Sequence, residues 1–269
     1  MKYEPIKNYL GKFISRSPWQ RKLFYTLIDI LLLRSWHVRK ALRRLSPLLP
    51  ADASVLDAGS GLGQYAWRMI KRNRNWTIKG IDINSDQVED CRQFFYRTGR
   101  DRSVTFETGD LTKLNDADRY NLVLTVDVME HIADDELVFR NFYKALRSKG
   151  LLLISTPSDL GGSDAHSHDD DSFIDEHVRN GYGAGEITVK LKRAGFNDVR
   201  VTYTYGTAGS LSWILSMKYP VKLLNISYGF FILLPFYYVV ILPVSLLLNY
   251  IDLYTAHKSG TGLLVVAEK

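Results

Sequence analysis

The stretch that decides the fold is "VLDAGSGLGQ", Val55 to Gln64. Its first residues predict a short buried strand, and a helical pattern begins at its last residue. Gly59, Gly61 and Gly63 stand between the two, where glycine permits a sharp turn and a close approach of the backbone to a ligand. Such a strand–turn–helix unit predicts a site for a nucleotide-like molecule.

An acidic residue after the next predicted strand supports this site. Asp82 closes "WTIKGIDI", 23 residues after Gly59, and a carboxylate at that place accepts the hydroxyls of a ribose. The loop reads G-S-G-L-G, whereas a dinucleotide loop reads G-x-G-x-x-G. Asp57 would repel a pyrophosphate but suits the ammonium group of an amino acid. An NAD(P)-type oxidoreductase therefore stays an alternative that fits the loop less well.

Outward from this loop, predicted strands alternate with predicted helices, which favours an α/β fold with a parallel sheet and helices on both of its faces. Residues 51–206 together with 260–269 form the predicted main domain. The strand patterns are "ASVLDAG", "WTIKGIDI", "SVTFETGD", "YNLVLTVDV", "GLLLISTP", "DVRVTYTYG" and "TGLLVVAEK".

Five elements in order resemble the class I S-adenosylmethionine (SAM)-dependent methyltransferases, in particular the type 11-like group that acts on small molecules and lipids. The resemblance covers about residues 51–205 and 260–269. It implies a Rossmann-like, seven-stranded methyltransferase sheet whose last strand is antiparallel, with SAM as the cofactor. The matching elements are "VLDAGSGLGQ", "GIDIN", "FETGDLTKL", "YNLVLTVDVMEHI" and "LRSKGLLLISTPS".

The same resemblance assigns the cofactor contacts. The three glycines would pass the methionine part of SAM, and Asp82 with its neighbour would hold the ribose. Asp110 and Leu111 would frame the adenine, and the residues after the fourth strand would close over the cofactor. The complete predicted set is Asp57, Gly59, Gly61, Gly63, Asp82, Ile83, Asp110, Leu111, Asp127 and Met129.

Methyl transfer from a sulfonium is an in-line displacement, so the protein mainly aligns the reactants and excludes water. A base helps when the acceptor is an oxygen. The candidates are His131, with Glu130 beside it, and His177 and Tyr182 in the segment "EHVRNGYGAGEI". In that segment Arg179 would bind an acceptor carboxylate or phosphate, or pair with the neighbouring glutamate.

The loop that contains "HSHDDD" is long for a compact domain and predicts a lid. Its histidines and aspartates are possible metal ligands by type, but such side chains in a loop usually face solvent. No metal site is predicted.

Basic residues are concentrated at the start of the chain. Residues 1–50 hold 11 Lys and Arg against 2 acidic residues, which leaves 24 basic and 27 acidic residues elsewhere, out of totals of 35 and 29. One helix is predicted over residues 19–45, as part of an N-terminal basic segment, 1–50. Its charge suits an anionic membrane surface or nucleic acid, or is a solvated face. No amide-flipping N/D-P-P-Y/F motif occurs, so nucleic acid is not a predicted partner.

Residues 207–259 form an apolar insert between the sixth and seventh strands. From Leu223 to Tyr250 there is no charged side chain, a length that suits a membrane helix. The seventh strand must return to the sheet, which excludes a single crossing. Pro235 and Pro243 predict pieces too short to cross. The insert is therefore expected to be an interfacial hairpin, an acceptor pocket or the interface of a homodimer.

These patterns together predict a SAM-dependent methyltransferase. Its acceptor is expected to be a hydrophobic small molecule or a lipid, methylated on oxygen first and on carbon second. The single cysteine, Cys91, fits a reducing cytosol, so the expected location is cytoplasmic and peripheral on the inner face of a membrane. A membrane-associated, non-catalytic protein of the same fold stays an alternative.

Overall fold

A computed structural model describes residues 17–161 and 178–269. Seven strands form one sheet in the order β3-β2-β1-β4-β5-β7-β6. Strands β1 to β5 pair in parallel, and β7 is antiparallel to both of its neighbours. This confirms the predicted fold. The strands are β1 (Ser54–Ala58), β2 (Thr77–Asp82), β3 (Val104–Thr108), β4 (Tyr120–Val126), β5 (Leu146–Pro157), β6 (Asp198–Thr204) and β7 (Gly262–Glu268).

The helices cover both faces of the sheet and extend beyond it. Those in the described part of the chain are α1 (Pro18–Leu31), α2 (Leu33–Leu45), α3 (Gln64–Arg72), α4 (Ser85–Arg97), α5 (Asp135–Ala145), α6 (Ala184–Ala194), α7 (Thr207–Trp213), α8 (Tyr219–Ile226) and α9 (Leu234–Tyr254).

Two apolar cores lie on opposite faces of the sheet. One contains the aromatic rings of α4, where Phe94 and Phe95 meet edge to face with ring centroids 5.2 Å apart. The other packs α5 and α6 on the sheet, with Phe139 and Phe142 fully buried. The inner strands are buried on both faces because helices cover both, which is why β4 carries an uncharged run instead of an alternating pattern.

The predicted helix over residues 19–45 is two helices, because Leu32 has an extended backbone (φ −89°, ψ 113°). Hydrophobic spacing predicts an apolar face with Phe24, Leu27 and Ile28 in α1, and this face is right only in part. Phe24 packs partly buried against the core, but Leu27 is exposed, and Arg21 and Tyr25 are buried. The spacing missed Arg21 because a buried arginine with several hydrogen-bond partners carries no apolar signal.

The insert is a helical hairpin. Its first arm, residues 207–226, runs through α7, a π-helical turn (Ile214–Lys218) and α8, and its second arm is α9. Residues 227–233 form the tip. The prolines do not divide the second arm: Pro235 lies in its first turn, where no amide donor is needed, and the helix continues through Pro243. Among the described residues, α9 is the one helix long and apolar enough to cross a membrane, by length and composition.

Polar contacts attach the base of the hairpin to α2. The buried Asp252 accepts a hydrogen bond from the amide of Gly209 at 3.1 Å, and its carboxylate lies 2.8 Å from Nε2 of His37 and 3.2 Å from Nε2 of His257. Lys40 donates to the carbonyl of Leu253. Since β6 is parallel to β1, β4 and β5, the hairpin leaves the sheet at the edge where those strands end.

Candidate active site

The glycine loop lies at the carboxyl edge of the sheet, between β1 and α3. Gly59, Gly61 and Gly63 all have positive φ, at 76°, 49° and 76°. A Cβ on Gly59 would lie 2.1 Å from Cγ2 of Val128, so glycine is required there. The amides of Gly59 and Ser60 donate to the carbonyl of Ile81 at 2.8 and 3.0 Å, which fixes the loop beside β2.

Asp82 holds this loop from the end of β2. Its carboxylate accepts hydrogen bonds from the amides of Gly61 at 2.7 Å and Asn84 at 2.9 Å. A carboxylate has about four acceptor positions, so capacity for two ribose hydroxyls remains. Ile83 follows with 77% of its surface exposed. An apolar side chain in that position suits the predicted contact with a nucleoside.

Asp57 lies beneath the loop and is buried. It accepts a hydrogen bond from the amide of Ala66 at 3.1 Å, in the first turn of α3. Burial raises the pKa of this carboxyl to about 7, although the hydrogen bond from Ala66 opposes the rise. A bound ammonium group would favour the ionised form. The position therefore suits the amino acid part of SAM.

Asp110 and Leu111 contact other residues of the protein, in addition to the cofactor contacts predicted for them. Oδ1 of Asp110 accepts from the amide and the hydroxyl of Thr112 at 2.9 and 2.7 Å, and these hydrogen bonds lower the pKa of Asp110. Leu111 is buried in the second core, as is Met129. The carbonyl of Leu111 accepts from Asn141 at 3.0 Å. The adenine contacts thus remain predictions at positions whose backbone is well supported.

Asp127 follows β4 with a left-handed backbone (φ 49°), and its side chain forms an ion pair with Arg34 of α2. The amide of Arg34 also donates to the hydroxyl of Tyr205 at 2.9 Å. Arg34 was counted above only as part of a basic helix face. Nothing local to residues 30–40 indicates this contact, because its partner is 93 positions further along the chain.

The N-terminal helices pack against the glycine loop. Arg21 is 1% exposed and donates to the carbonyl of Leu62 at 2.7 Å and to Tyr25 at 2.8 Å. Asp29 forms an ion pair with Arg68 and accepts from Gln64 at 2.7 Å. Attraction of the basic segment to a membrane stays a prediction, to which its residues contribute differently. Arg21, Arg34 and Lys40 have partners inside the protein, whereas Arg43 and Arg44 are exposed.

The candidate bases differ in their surroundings. His131 is exposed at the end of a 3₁₀ turn (Met129–His131). Glu130 is buried, accepts from the hydroxyl of Thr156 at 3.1 Å, and has a pKa that burial raises. His177 and the "HSHDDD" segment lie outside the described residues. Within the described ranges, no group of three or more His, Cys, Asp or Glu is arranged to hold a metal ion.

Tyr182 belongs to a buried polar cluster. Its hydroxyl donates to Oδ2 of Asp135 at 2.7 Å, and the ammonium group of Lys190 donates to the same carboxylate oxygen at 2.8 Å. Arg179 also pairs with Asp135 and donates to the carbonyl of Ile132 at 2.8 Å. Burial raises the pKa of Tyr182, and the hydrogen bond to Asp135 adds to this. The geometry thus gives Tyr182 and Arg179 structural roles and no support for a catalytic Tyr182.

Comparisons with known proteins agree with this geometry. Residues 49–195, more than half of the chain, match the family model described as a methyltransferase domain. The chain is 30% identical to phosphoethanolamine N-methyltransferase 1 of Triticum aestivum over 155 residues, which are 56% of this chain and 30% of that protein. It is 29% identical to a carboxy-S-adenosyl-L-methionine synthase of Shewanella woodyi over 152 residues, which are 55% of this chain and 61% of that protein.

Solved structures show the same fold. Phosphoethanolamine N-methyltransferase 2 of Haemonchus contortus, in complex with SAM, superposes with a TM-score of 0.58 at 20% identity, covering 85% of this chain and 51% of that one. The [4+2]-cyclase SpnF superposes with a TM-score of 0.56 at 16% identity, covering 95% and 83%. The glycine loop, the two carboxylates beside it and the family match lead to one conclusion: the chain belongs to the class I SAM-dependent methyltransferases.

Proposed function

We propose that this protein transfers the methyl group of SAM to an oxygen of a hydrophobic small molecule or lipid. The observation that carries the acceptor class is the position of the apolar hairpin. The hairpin extends from the carboxyl edge of the sheet. Its base contacts α2 through Asp252 and His37, and Arg34 of α2 forms an ion pair with Asp127. Apolar surface therefore lies beside the position of the methyl donor, where a lipophilic acceptor gains most from leaving water.

The residues at the edge fit the cofactor. Asp57 would bind the ammonium group, Asp82 the ribose, and the glycine loop leaves no room for a Cβ at Gly59. When bound, SAM supplies a methyl group already activated on a positively charged sulfur. His131, exposed just after β4, is the group that would accept the proton lost by an acceptor hydroxyl, because a ring nitrogen of imidazole can act as a general base.

The curated relatives suggest a polar acceptor as the competing assignment. Several carry the name phosphoethanolamine N-methyltransferase, and an amine needs less help from a base than a hydroxyl. The family model matches residues 49–195 and does not include the hairpin. The proposal of a lipophilic acceptor rests on the hairpin, which that model does not describe.

We further propose a location at the cytoplasmic face of a membrane. Exposed aromatic and aliphatic side chains of the hairpin, such as Trp213, Phe236 and Val239, favour contact with lipid. A homodimer that buries the same side chains is the competing arrangement. Analytical ultracentrifugation in detergent-free buffer separates the two, because only the homodimer predicts a defined species of twice the mass.

The cofactor is tested by melting the protein with S-adenosylhomocysteine or with NAD. Stabilisation by S-adenosylhomocysteine, and its loss in Asp82→Ala, is the expected result. Stabilisation by NAD alone would establish the oxidoreductase alternative.

The acceptor is tested by mass spectrometry of lipophilic extracts from cells that make the protein or Asp82→Ala. A product heavier by one methylene unit should appear with the protein only. A product from phosphoethanolamine in vitro, with none in the lipophilic extract, would overturn the acceptor class. Cofactor binding with no product of either kind would favour the non-catalytic alternative.

A further inference from the structure

The hairpin satisfies its own backbone at the point where a proline interrupts it. Pro220 has no amide hydrogen to donate to the carbonyls of Leu215 and Ser216, five and four residues earlier. The hydroxyls of Tyr237 and Tyr238 donate to these two carbonyls instead, each at 2.7 Å. These hydrogen bonds leave neither carbonyl unpaired, and they fix the second arm to the first.

The two arms are also joined to each other. The hydroxyl of Ser212 donates to the carbonyl of Ser245 at 3.1 Å, so the base of the first arm is fixed to the second arm. With 1.5 Å per residue, each arm is about 30 Å long. The hairpin is thus a rigid projection whose arms begin and end at the same edge of the sheet.

The outer surface of this projection is apolar from the tip downwards. Of the most apolar 18-residue stretch of α9, only 11% is buried inside the protein. A soluble monomer rarely exposes so continuous an apolar surface. The large exposed side chains of the tip and the adjoining part of α9 are Phe231, Ile232, Leu233, Phe236, Val239 and Val240.

The charged side chains of the hairpin limit how deeply it can enter a bilayer. Lys218 and Lys222 are the charged side chains between residues 207 and 250. Lys218 stands eight residues before the end of the first arm, which corresponds to about 12 Å along the helix. One leaflet provides about 15 Å of hydrocarbon, half of a core of about 30 Å. The apolar end of the hairpin therefore matches one leaflet, with Lys218 at the level of the head groups. Lys222 lies four residues, about 6 Å, nearer the tip, and its long aliphatic side chain can extend back to the head groups.

Aromatic residues occur near that level. Tyr219 is exposed beside Lys218, and Trp213 is exposed one and a half turns nearer the base. Tyrosine and tryptophan favour the boundary between hydrocarbon and water, and lysines there attract anionic head groups. From tip to base, the hairpin thus carries aliphatic and aromatic side chains, then lysines, and then the polar contacts to α2. This sequence of side chains suits the change from hydrocarbon to head groups to water at a bilayer surface.

From these contacts we infer that the hairpin enters one leaflet of an anionic phospholipid bilayer tip first, without crossing it. Crossing would put Lys218 and Lys222 in hydrocarbon, and lying flat would leave much of the tip in water. The inference rests on the membrane location proposed above and is independent of the acceptor. It turns the carboxyl edge of the sheet towards the bilayer, so an acceptor dissolved in that leaflet reaches the site without passing through water.

Depth is measured with one fluorescent label at a time. Cys91 is fully buried, so a cysteine introduced at Ile232, Val239 or Leu247 takes the label selectively. On mixed phosphatidylcholine–phosphatidylglycerol vesicles, quenching by lipids labelled near the methyl end of the acyl chain should fall in that order, and iodide should quench Ile232→Cys least. The matched control is Leu48→Cys, 71% exposed against 74% for Ile232, which should stay open to iodide.

The affinity of the protein for vesicles is a second measurement that tests the inference. Ile232→Asp should weaken vesicle binding by about tenfold or more, because a carboxylate is costly in hydrocarbon, whereas Leu48→Asp should not change it. Each of Lys218→Gln and Lys222→Gln should weaken binding to the anionic vesicles by about fivefold, with little effect on vesicles of phosphatidylcholine alone.

Three results would overturn the inference. Equal quenching at Ile232, Val239 and Leu247 would mean that the hairpin lies flat. Protection of Ile232→Cys from iodide without vesicles would mean that a second copy covers the tip. An unchanged affinity of Ile232→Asp would mean that lipid does not meet the tip. The melting shift with S-adenosylhomocysteine, measured on the same variants, reports separately on the methyltransferase function.

Discussion

Replacing Asp57 with asparagine separates the two roles that the structure gives to this carboxyl. The side chain is 2% exposed and its pKa is raised to about 7, against about 4 in an unfolded chain. The folded protein thus binds the proton more tightly. The contribution of this group to stability is complete below about pH 4 and is lost as the pH rises through about 7.

The variant Asp57→Asn does not titrate, and its amide oxygen can still accept from Ala66. Relative to the natural protein, its free energy of unfolding should therefore increase between about pH 5 and pH 8. With about 1.4 kcal/mol per pH unit, the increase is roughly 2–3 kcal/mol, or roughly 5–10 °C in melting temperature. Binding should change in the opposite direction: S-adenosylhomocysteine should bind about tenfold more weakly or worse, because its ammonium group loses a charged partner.

The assay is thermal melting of both proteins, without cofactor, across this pH range, with calorimetric titration of S-adenosylhomocysteine at each pH. A difference in melting temperature that does not vary with pH would show that Asp57 is already ionised, and the argument from burial would fail. An unchanged affinity would refute the contact with the ammonium group.

Three further changes test other parts of the site. Gly59→Ala should cost at least about 2 kcal/mol more than Gly99→Ala in melts, because both have positive φ but only the former meets another side chain; equal costs would contradict the close approach. Tyr182→Phe should lower the unfolding free energy by about 1–2 kcal/mol and leave kcat of the folded enzyme nearly unchanged; a loss of about a hundredfold in kcat would restore its catalytic role. Arg34→Ala should weaken S-adenosylhomocysteine binding in calorimetry while Arg44→Ala leaves it unchanged, since only Arg34 pairs with a residue of the site; equal effects would mean general electrostatics.

Local pattern accounts for what sequence reasoning predicted correctly. The glycine loop and Asp82 are close in the chain, and backbone geometry at three glycines restricts the turn to a few conformations. The strands carry apolar runs because both faces of the sheet are covered, so their type and order could be inferred before any contact was known. The described sheet agrees with that inference, whereas the antiparallel last strand follows from the family resemblance and not from local pattern.

Local pattern failed where a distant partner decides the structure. Spacing alone missed part of the buried face of α1, because Arg21 is buried by contacts to Leu62 and Asp90. Pro243 predicted a break, yet α9 continues through it while the two arms pack together. The hydroxyl of Tyr182 donates to a carboxylate 47 positions away, a contact that local pattern does not indicate.

The sequence by itself determined the glycine loop and Asp57, because both depend on residues within one strand–turn–helix unit. It also indicated the strands, because each carries its own apolar run, and with them Asp82 at the end of β2. The tertiary structure alone decided that α1 and α2 pack against that loop, that Arg34 reaches Asp127, and that the apolar insert stands as a two-armed hairpin at the edge of the site. Those features join residues that are far apart in the chain. Their free energy comes from burial and pairing that exist only after the sheet has formed.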